Sequence, residues 1–83
     1  MTNKKIYRIA EVCHSTGLSH SSVYKQIRLG QFPKGIKITE RATGWPADEV
    51  FKINEGRIAG LSESEMRELV QGLEASRKNG GAV

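Results

Sequence analysis

The sequence predicts an α+β fold, a small winged helix-turn-helix with an additional C-terminal helix. Two short amphipathic segments are joined by a tight turn at residues 16–19 that contains Gly17, and such a turn between two helices is typical of a helix-turn-helix. Residues 36–38 alternate between apolar and polar and predict the first strand of a β-hairpin. A capping signature at Ser62 then opens the last amphipathic helix.

Helix one is predicted to begin near Ala10 and to end at Gly17, because the apolar residues that lead into it recur at intervals of three. Ser19 is a good N-cap for the next helix, since its hydroxyl can accept a hydrogen bond from a backbone amide of the first turn. Helix two is then expected to run from His20 to about Leu29.

Residues 36–45 are predicted to form a short β-hairpin, the wing, with a polar turn at residues 39–41. Trp45 lies at the joint between the second strand and the following helix, and Phe32 precedes a proline that cannot continue a helix. We expect both aromatic rings in the core rather than stacked on a base.

Helix three is predicted to open at Pro46. Proline suits the first helical position, and the acidic Asp48 and Glu49 suit the positive end of the helix dipole. The helix is expected to end between residues 56 and 60, and its inward stripe consists of Ala47, Val50 and Ile53.

Helix four has the clearest local signal in the chain. Ser62 and Glu65 have the spacing of a capping box, in which each side chain accepts a hydrogen bond from the backbone amide of the other residue. Four apolar residues at i, i+3, i+4 and i+7 follow and form one stripe, Met66, Leu69, Val70 and Leu73. This stripe either folds back over the small core or mediates self-association with another copy of the protein.

Length and composition indicate one small domain. The 83 residues can fold alone around a modest core, and a hydrophobic content of 37% exceeds that of disordered chains. A single cysteine, Cys13, excludes an internal disulfide and fits a reducing compartment. No apolar run approaches the roughly 18 residues of a membrane span, and we identify no secretory signal. We therefore expect a cytoplasmic protein.

Positive charge is concentrated in the half of the chain that carries the helix-turn-helix pattern. Residues 1–45 contain eight basic and two acidic residues, a net charge of +6, whereas residues 46–83 contain five basic and seven acidic residues, a net charge of −2. A basic half of this kind is typical of proteins with a polyanionic partner. Together with the helix-turn-helix, it favours double-stranded DNA as that partner and an association with the bacterial nucleoid.

Helix two presents a polar face that we expect to enter the major groove, as the second helix of a helix-turn-helix does. Val23 and Ile27 mark its buried side, and Lys25 and Arg28 lie opposite. The alternative is an ordinary solvated face. The residues expected to contact DNA from helix two are Ser19, His20, Ser21, Ser22, Tyr24, Lys25 and Arg28. Tyr24 either packs against the wing or hydrogen-bonds a phosphate.

The wing and its base carry four further residues expected to contact DNA, Lys34, Lys37, Thr39 and Arg41. Arg41 lies at the hairpin tip, from which an arginine can enter a narrow minor groove. Glu40 beside it would repel phosphate, so a second arrangement has Thr39 and Arg41 on either side of the backbone. The chain thus divides into a winged helix-turn-helix domain (6–58), a C-terminal helix that packs on the domain or on a partner copy (61–78), and a flexible tail (79–83).

Motifs shared with a known family are dense between Tyr7 and Arg57: Tyr7-Arg8-Ile9, Glu11-Val12, Thr16-Gly17-Leu18-Ser19, Val23-Tyr24, Ile27, Gly30-Gln31-Phe32-Pro33, Arg41-Ala42, Gly44-Trp45 and Glu49-Val50. This set resembles the AlpA family of small phage and mobile-element regulators, which are related to excisionases and to MerR-type winged helix-turn-helix proteins. The resemblance implies that helix two enters the major groove and that the wing reaches the backbone or minor groove. Members regulate transcription of integrase genes, direct recombination, or do both.

Catalytic and metal-binding functions are not expected. Cys13, His14 and His20 are three potential ligands, but no second cysteine or histidine pair completes a usual zinc set. The sequence offers no arrangement of nucleophile, base and oxyanion donors. We therefore expect no enzyme, no metal, no cofactor, no small-molecule substrate and no membrane partner.

The expected affinity bears on mechanism. A single small module buries only roughly 600–1,000 Å² of surface on DNA, so tight control needs repeated sites or contacts between further copies of the protein along DNA. This favours an excisionase, or recombination directionality factor, working with an integrase. The same occupancy at a promoter would make a transcriptional activator or repressor. Two other classes are a protein-interaction module acting through helix four and an RNA-binding regulator, which the scarcity of exposed aromatic residues disfavours.

Overall fold

The elements of the chain confirm the predicted fold class, a small α+β winged helix-turn-helix with a C-terminal helix. The computed structural model describes residues 5–81, with side chains to residue 77. Over this range the elements follow in the order β1 (Ile6–Tyr7), α1 (Ile9–Thr16), α2 (His20–Arg28), β2 (Ile36–Lys37), β3 (Thr43–Pro46), α3 (Ala47–Ala59) and α4 (Glu63–Gly81).

The three strands form one small antiparallel sheet in the order β1-β3-β2. β2 and β3 are the predicted wing, paired at Ile36↔Gly44 and Lys37↔Thr43. The sequence does not predict β1, because the apolar spacing of this segment indicates only an entry to helix one. Its two residues become a strand only through their pairing with the distant β3.

The helix-turn-helix forms where the local signals place it. α1 ends at Gly17, whose φ of 77° lies in the left-handed region that glycine adopts readily. The Gly17 amide donates to the Cys13 carbonyl at 2.8 Å. Ser19 caps α2 as predicted, its Oγ accepting from the Ser22 amide at 3.2 Å.

α3 begins one residue later than predicted. Pro46 is the last residue of β3 and the N-cap of α3, rather than its first helical residue. The reason is the sheet, because Pro46 pairs with Ile6 of β1. The inward stripe is confirmed, since Ala47, Val50 and Ile53 are all buried.

The core lies between the helix-turn-helix, the sheet and the last two helices. Its buried cluster contains one or two apolar side chains from most elements: Val12, Val23, Phe32, Trp45, Val50, Ile53, Met66 and Val70. Trp45 and Phe32 are each 1% exposed, which confirms the predicted core position of both rings.

α4 begins with the predicted capping box. The Ser62 amide donates to Glu65 Oε1 at 2.8 Å, and the Glu65 amide donates to Ser62 Oγ at 3.1 Å. The helix runs from Glu63 to Gly81, so its backbone includes the first three residues of the predicted tail. Residues 82 and 83 lie outside the described residues.

The apolar stripe of α4 faces the chain's own core. Met66 and Val70 are buried in the core cluster, and Leu69 and Leu73 are partly buried against it. In this conformation, α4 packs on its own domain. The self-association predicted for these four side chains stays a prediction.

Truncating Val23 to alanine should destabilise the domain by roughly 1–3 kcal/mol. Val23 anchors α2 to the core and is fully buried, so the deletion removes apolar contacts and leaves a cavity. Urea unfolding would measure the loss. An unchanged midpoint would mean that α2 is not held to the core through this residue.

Candidate nucleic-acid interface

The polar face of α2 is turned to solvent. Six of the seven residues predicted to contact DNA from this helix are exposed: Ser19, His20, Ser21, Tyr24, Lys25 and Arg28. The seventh residue, Ser22, is half-buried, because its side chain turns toward Ser19, the N-cap of the helix. The opposite side of α2 holds Val23 in the core, with Ile27 packed against it. The helix therefore presents one continuous polar face outward.

Two hydroxyls of the first turn are engaged within the protein. Ser19 Oγ accepts from the Ser22 amide and donates to Ser22 Oγ at 3.0 Å. This leaves His20 and Ser21 as the first-turn side chains best able to bind a base edge or phosphate. Ser21 Oγ lies 3.4 Å from Ser19 Oγ, a weak contact that a ligand could replace.

The cationic side chains of this surface are not neutralised within the described part of the chain. Lys25, Arg28, Lys34, Lys37 and Arg41 are exposed, and the single ion pair among residues 5–77 joins Arg77 to Glu49 instead. Unpaired cations on a helix face and an adjacent hairpin suit a partner with many phosphates.

Tyr24 connects the exposed face of α2 to the wing. Its ring meets the edge of Trp45 of β3, with the ring centroids 6.3 Å apart. The Tyr24 side chain is nevertheless 43% exposed, so the packing alternative leaves part of the ring in solvent. Its predicted contact with phosphate stays a prediction.

The tip of the wing is a compact turn. The Ile38 amide donates to the Ala42 carbonyl at 2.8 Å, and the Arg41 amide donates to Thr39 Oγ1 at 3.2 Å. Thr39 therefore shapes the turn with its hydroxyl while remaining exposed. The Arg41 side chain is exposed at the tip, as predicted, beside the exposed Glu40.

The base of the wing, residues 33–35, is held from two sides, a feature that the sequence did not reveal. On one side, the Lys34 amide donates to Glu74 Oε2 at 2.9 Å and the Lys34 carbonyl accepts from Arg77 Nη2 at 2.8 Å. On the other, Trp45 Nε1 donates to the Pro33 carbonyl at 2.8 Å. Both backbone groups of Lys34 are thus used, while its side chain is exposed.

Arg77 is itself fixed by a buried carboxylate. Its Nε and Nη2 donate to the two oxygens of Glu49 at 2.9 and 2.7 Å, and Glu49 is only 7% exposed. The hydrogen bond to Glu49 raises the pKa of Arg77, although burial partly opposes the shift. The sequence indicates Glu49 only as an acid at the start of a helix; no local signal links it to a residue 28 positions away.

α3 is tied to both helices of the helix-turn-helix by polar contacts. Asn54 Nδ2 donates to the Ser15 carbonyl at 3.2 Å, and Arg57 Nη2 donates to Gln26 Oε1 at 3.4 Å. Burial lowers the pKa of Arg57. These contacts link α3 to α1 and α2.

The potential zinc ligands do not form a cluster. Across residues 5–81, no group of three or more histidine, cysteine or acidic side chains is placed to hold a metal ion. His14 and His20 are exposed and Cys13 is half-buried. None of the helices in this range is long and apolar enough to cross a membrane.

Comparison with known proteins identifies a phage regulator family. The family model for prophage CP4-57 regulatory protein (AlpA) matches residues 5–53. The chain is also similar to uncharacterized protein ORF88 of Enterobacteria phage P4, with 38% identity over 60 residues that cover 72% of this chain and 68% of the phage protein. No solved structure matches the chain. The region matched by the family spans the helix-turn-helix and the wing.

Proposed function

The chain belongs to the AlpA family of prophage regulatory proteins, and on that premise we propose that it binds double-stranded DNA sequence-specifically and directs excision of a phage or integrative element. The observation that carries the proposal is the continuous exposed surface of α2 and the wing, with cations that no carboxylate in the described residues neutralises. Such a surface on a helix-turn-helix is complementary in shape to the major groove and opposite in charge to its flanking phosphates.

In the proposed complex, α2 lies in the major groove. His20 and Ser21 enter with the first turn, and Lys25 and Arg28 follow on the same face. Arginine and lysine can donate to the O6 and N7 acceptors of guanine or to phosphate, while serine and histidine reach either. Base readout is therefore assigned to α2.

The wing supplies contacts outside that groove. Lys34 and Lys37 lie at its base and on β2, and Arg41 at its tip. We assign the two lysines to phosphate. Arg41 reaches the minor groove or, with Thr39, the backbone on either side of the tip.

The proposed excision role follows from the small size of the surface. One module of this kind covers roughly 600–1,000 Å², so its occupancy at physiological salt depends on several copies bound at repeated sites. Copies side by side on an attachment arm can bend DNA and assemble a complex with the integrase. We therefore propose further copies of this chain and an integrase as partners on DNA.

Regulation of transcription is the second candidate. The matched family is described as a regulatory protein, which favours a promoter, such as that of an integrase gene, as the binding site. Activation or repression would then depend on where the sites lie relative to the promoter elements.

Nuclease footprinting across the attachment site and the integrase promoter of the source element separates these roles. Protection of repeated sites within the attachment arm, with hypersensitive bands between them, supports the excision role. Protection confined to the promoter supports the regulatory role. Protection of neither region would contradict both.

We expect affinity to fall steeply with salt. Five phosphate contacts would give a slope of log affinity against log salt of about −4 to −5. Fluorescence anisotropy of a labelled duplex, titrated between low and physiological salt, measures it. A slope near zero would mean that the exposed cations do not contact phosphate.

A further inference from the structure

We propose that Glu74 and Arg77 of α4 are positioning residues for DNA binding, which hold the base of the wing at the orientation that the DNA requires. The proposal rests on the function proposed above. It assigns to α4 a role beyond covering the core, although neither residue belongs to α2 or the wing. The base of the wing is defined here as residues 33–35.

The first observation is that two α4 side chains satisfy both backbone groups of one residue. Glu74 accepts from the Lys34 amide and Arg77 donates to the Lys34 carbonyl, at 2.9 and 2.8 Å. A backbone unit held at both its donor and its acceptor has little freedom to rotate. Lys34 is also the residue through which the chain leaves the core on its way from α2 to the wing.

The second observation is that the base of the wing is also tightly packed on the side that faces Trp45. The Pro33 carbonyl accepts from the buried Trp45 indole. A Cβ added at Gly35 would collide with the Thr43 side chain and approach the Trp45 ring to 3.1 Å. The base of the wing therefore packs against the Trp45 ring on one side and is hydrogen-bonded to α4 on the other.

The third observation is that the wing is too short to fix its own orientation. β2 and β3 share only two residue pairs, and β1 pairs with β3 only at Trp45 and Pro46, so the sheet holds the hairpin at the end that joins the core and not at its tip. The orientation of Lys34, Lys37 and Arg41 then depends on the points where the hairpin is anchored. Arg77 is a firm anchor, because Glu49 holds it through two hydrogen bonds.

Charge and positioning predict opposite signs for changes at Glu74. Removing a carboxylate near a DNA-binding surface reduces repulsion of phosphate, so charge alone predicts tighter DNA binding. Positioning predicts weaker binding when the acceptor of the Lys34 hydrogen bond is lost. Glutamine removes the charge but keeps an acceptor oxygen, whereas alanine removes both.

The test compares Glu74→Ala, Glu74→Gln and the wild-type chain. Glu68→Ala is the matched control, because it removes one carboxylate from an exposed position on the same helix. We expect Glu74→Ala to weaken specific DNA binding by about 3- to 10-fold, the range of the net contribution of one typical hydrogen bond. Glu74→Gln should retain most of the affinity, and Glu68→Ala should bind at least as well as wild type.

Amide hydrogen exchange at Lys34 reports on the clamp without DNA. Exchange should accelerate in Glu74→Ala and stay slow in Glu74→Gln, while amides of the core helices keep their protection.

Double variants provide a second readout that a general loss of stability would not produce. The effect of Glu74→Ala should shrink in a Lys37→Ala background, where the wing contact is already lost, and stay constant in a Lys25→Ala background.

The outcomes separate the two proposals. Absence of specific binding by the wild-type chain would overturn the proposed function itself. Specific binding by wild type together with equal or tighter binding by Glu74→Ala would overturn the positioning role alone. Equal coupling of Glu74→Ala to Lys25→Ala and to Lys37→Ala would also overturn it, because the defect would then not lie in the wing.

Discussion

Replacing both Lys25 and Arg28 with alanine will lower affinity for a specific DNA site by at least about 30-fold. Each side chain is exposed on the outer face of α2, where a lost contact to guanine or phosphate costs about 1 kcal/mol or more. The two losses together reach about 2 kcal/mol. The fold should persist, since neither side chain belongs to the core.

Each single variant is best compared with Lys52→Ala. Lys52 is exposed on α3 and lies outside the proposed surface, so its removal reports the effect of one unit of net charge alone. Titrations with specific and unrelated duplexes should show that the α2 variants lose the preference for the specific sequence, whereas Lys52→Ala retains it. Equal losses for all three would remove α2 from the recognition role.

Replacing Arg77 with methionine should destabilise the domain by about 3 kcal/mol, because it leaves the Glu49 carboxylate buried without a partner. Glu49 is 7% exposed, and Arg77 supplies both of its side-chain hydrogen bonds. Urea unfolding measures the change, provided that the slope of free energy against denaturant stays constant.

The double variant Glu49→Met/Arg77→Met distinguishes two causes of instability: loss of the interactions made by Arg77, and burial of an unpaired Glu49 carboxylate. A buried ion pair can often be replaced by apolar side chains at little cost, because neither charge then needs to be desolvated. We expect the double variant to recover most of the stability that Arg77→Met loses. A double variant as unstable as the single one would mean that packing by Arg77, and not the charge on Glu49, sets the effect.

The elements that local chemistry determines were predictable from the sequence. The turn at Gly17, the cap at Ser19 and the capping box of Ser62 and Glu65 each depend on residues within four positions of one another. Nearby residues determine these hydrogen bonds whatever the rest of the chain does. For the same reason, the exposed face of α2 could be derived from helical periodicity once Val23 was assigned to the core.

The structural features that the sequence did not predict depend on contacts between residues far apart in the chain. Glu49 and Arg77 are separated by 28 positions, and Lys34 lies 40 and 43 positions from Glu74 and Arg77. Periodicity indicates that α4 has an apolar stripe. It does not indicate which residues the polar side chains beside that stripe, such as Glu74 and Arg77, contact. β1 has only two residues and is defined by its partner strand.

Ser22 shows the same limit at one position of the candidate site. Helical periodicity predicts Ser22 among the residues of helix two that contact DNA. Its hydroxyl also accepts a hydrogen bond from Ser19, the residue that caps the helix, and its predicted contact with DNA stays a prediction. Side-chain competition within one turn decides such cases, and residue spacing alone does not reveal the outcome.

The surroundings of Trp45 also give the protein an intrinsic optical reporter. Trp45 is the one tryptophan in the sequence, and its ring contacts Tyr24 of the recognition helix while its Nε1 donates to the base of the wing. Indole emission is sensitive to polarity and hydrogen bonding, and this indole has both α2 and the wing as neighbours. The chain therefore carries a native fluorophore at the joint between α2 and the wing, and we expect its emission to report changes in their relative orientation.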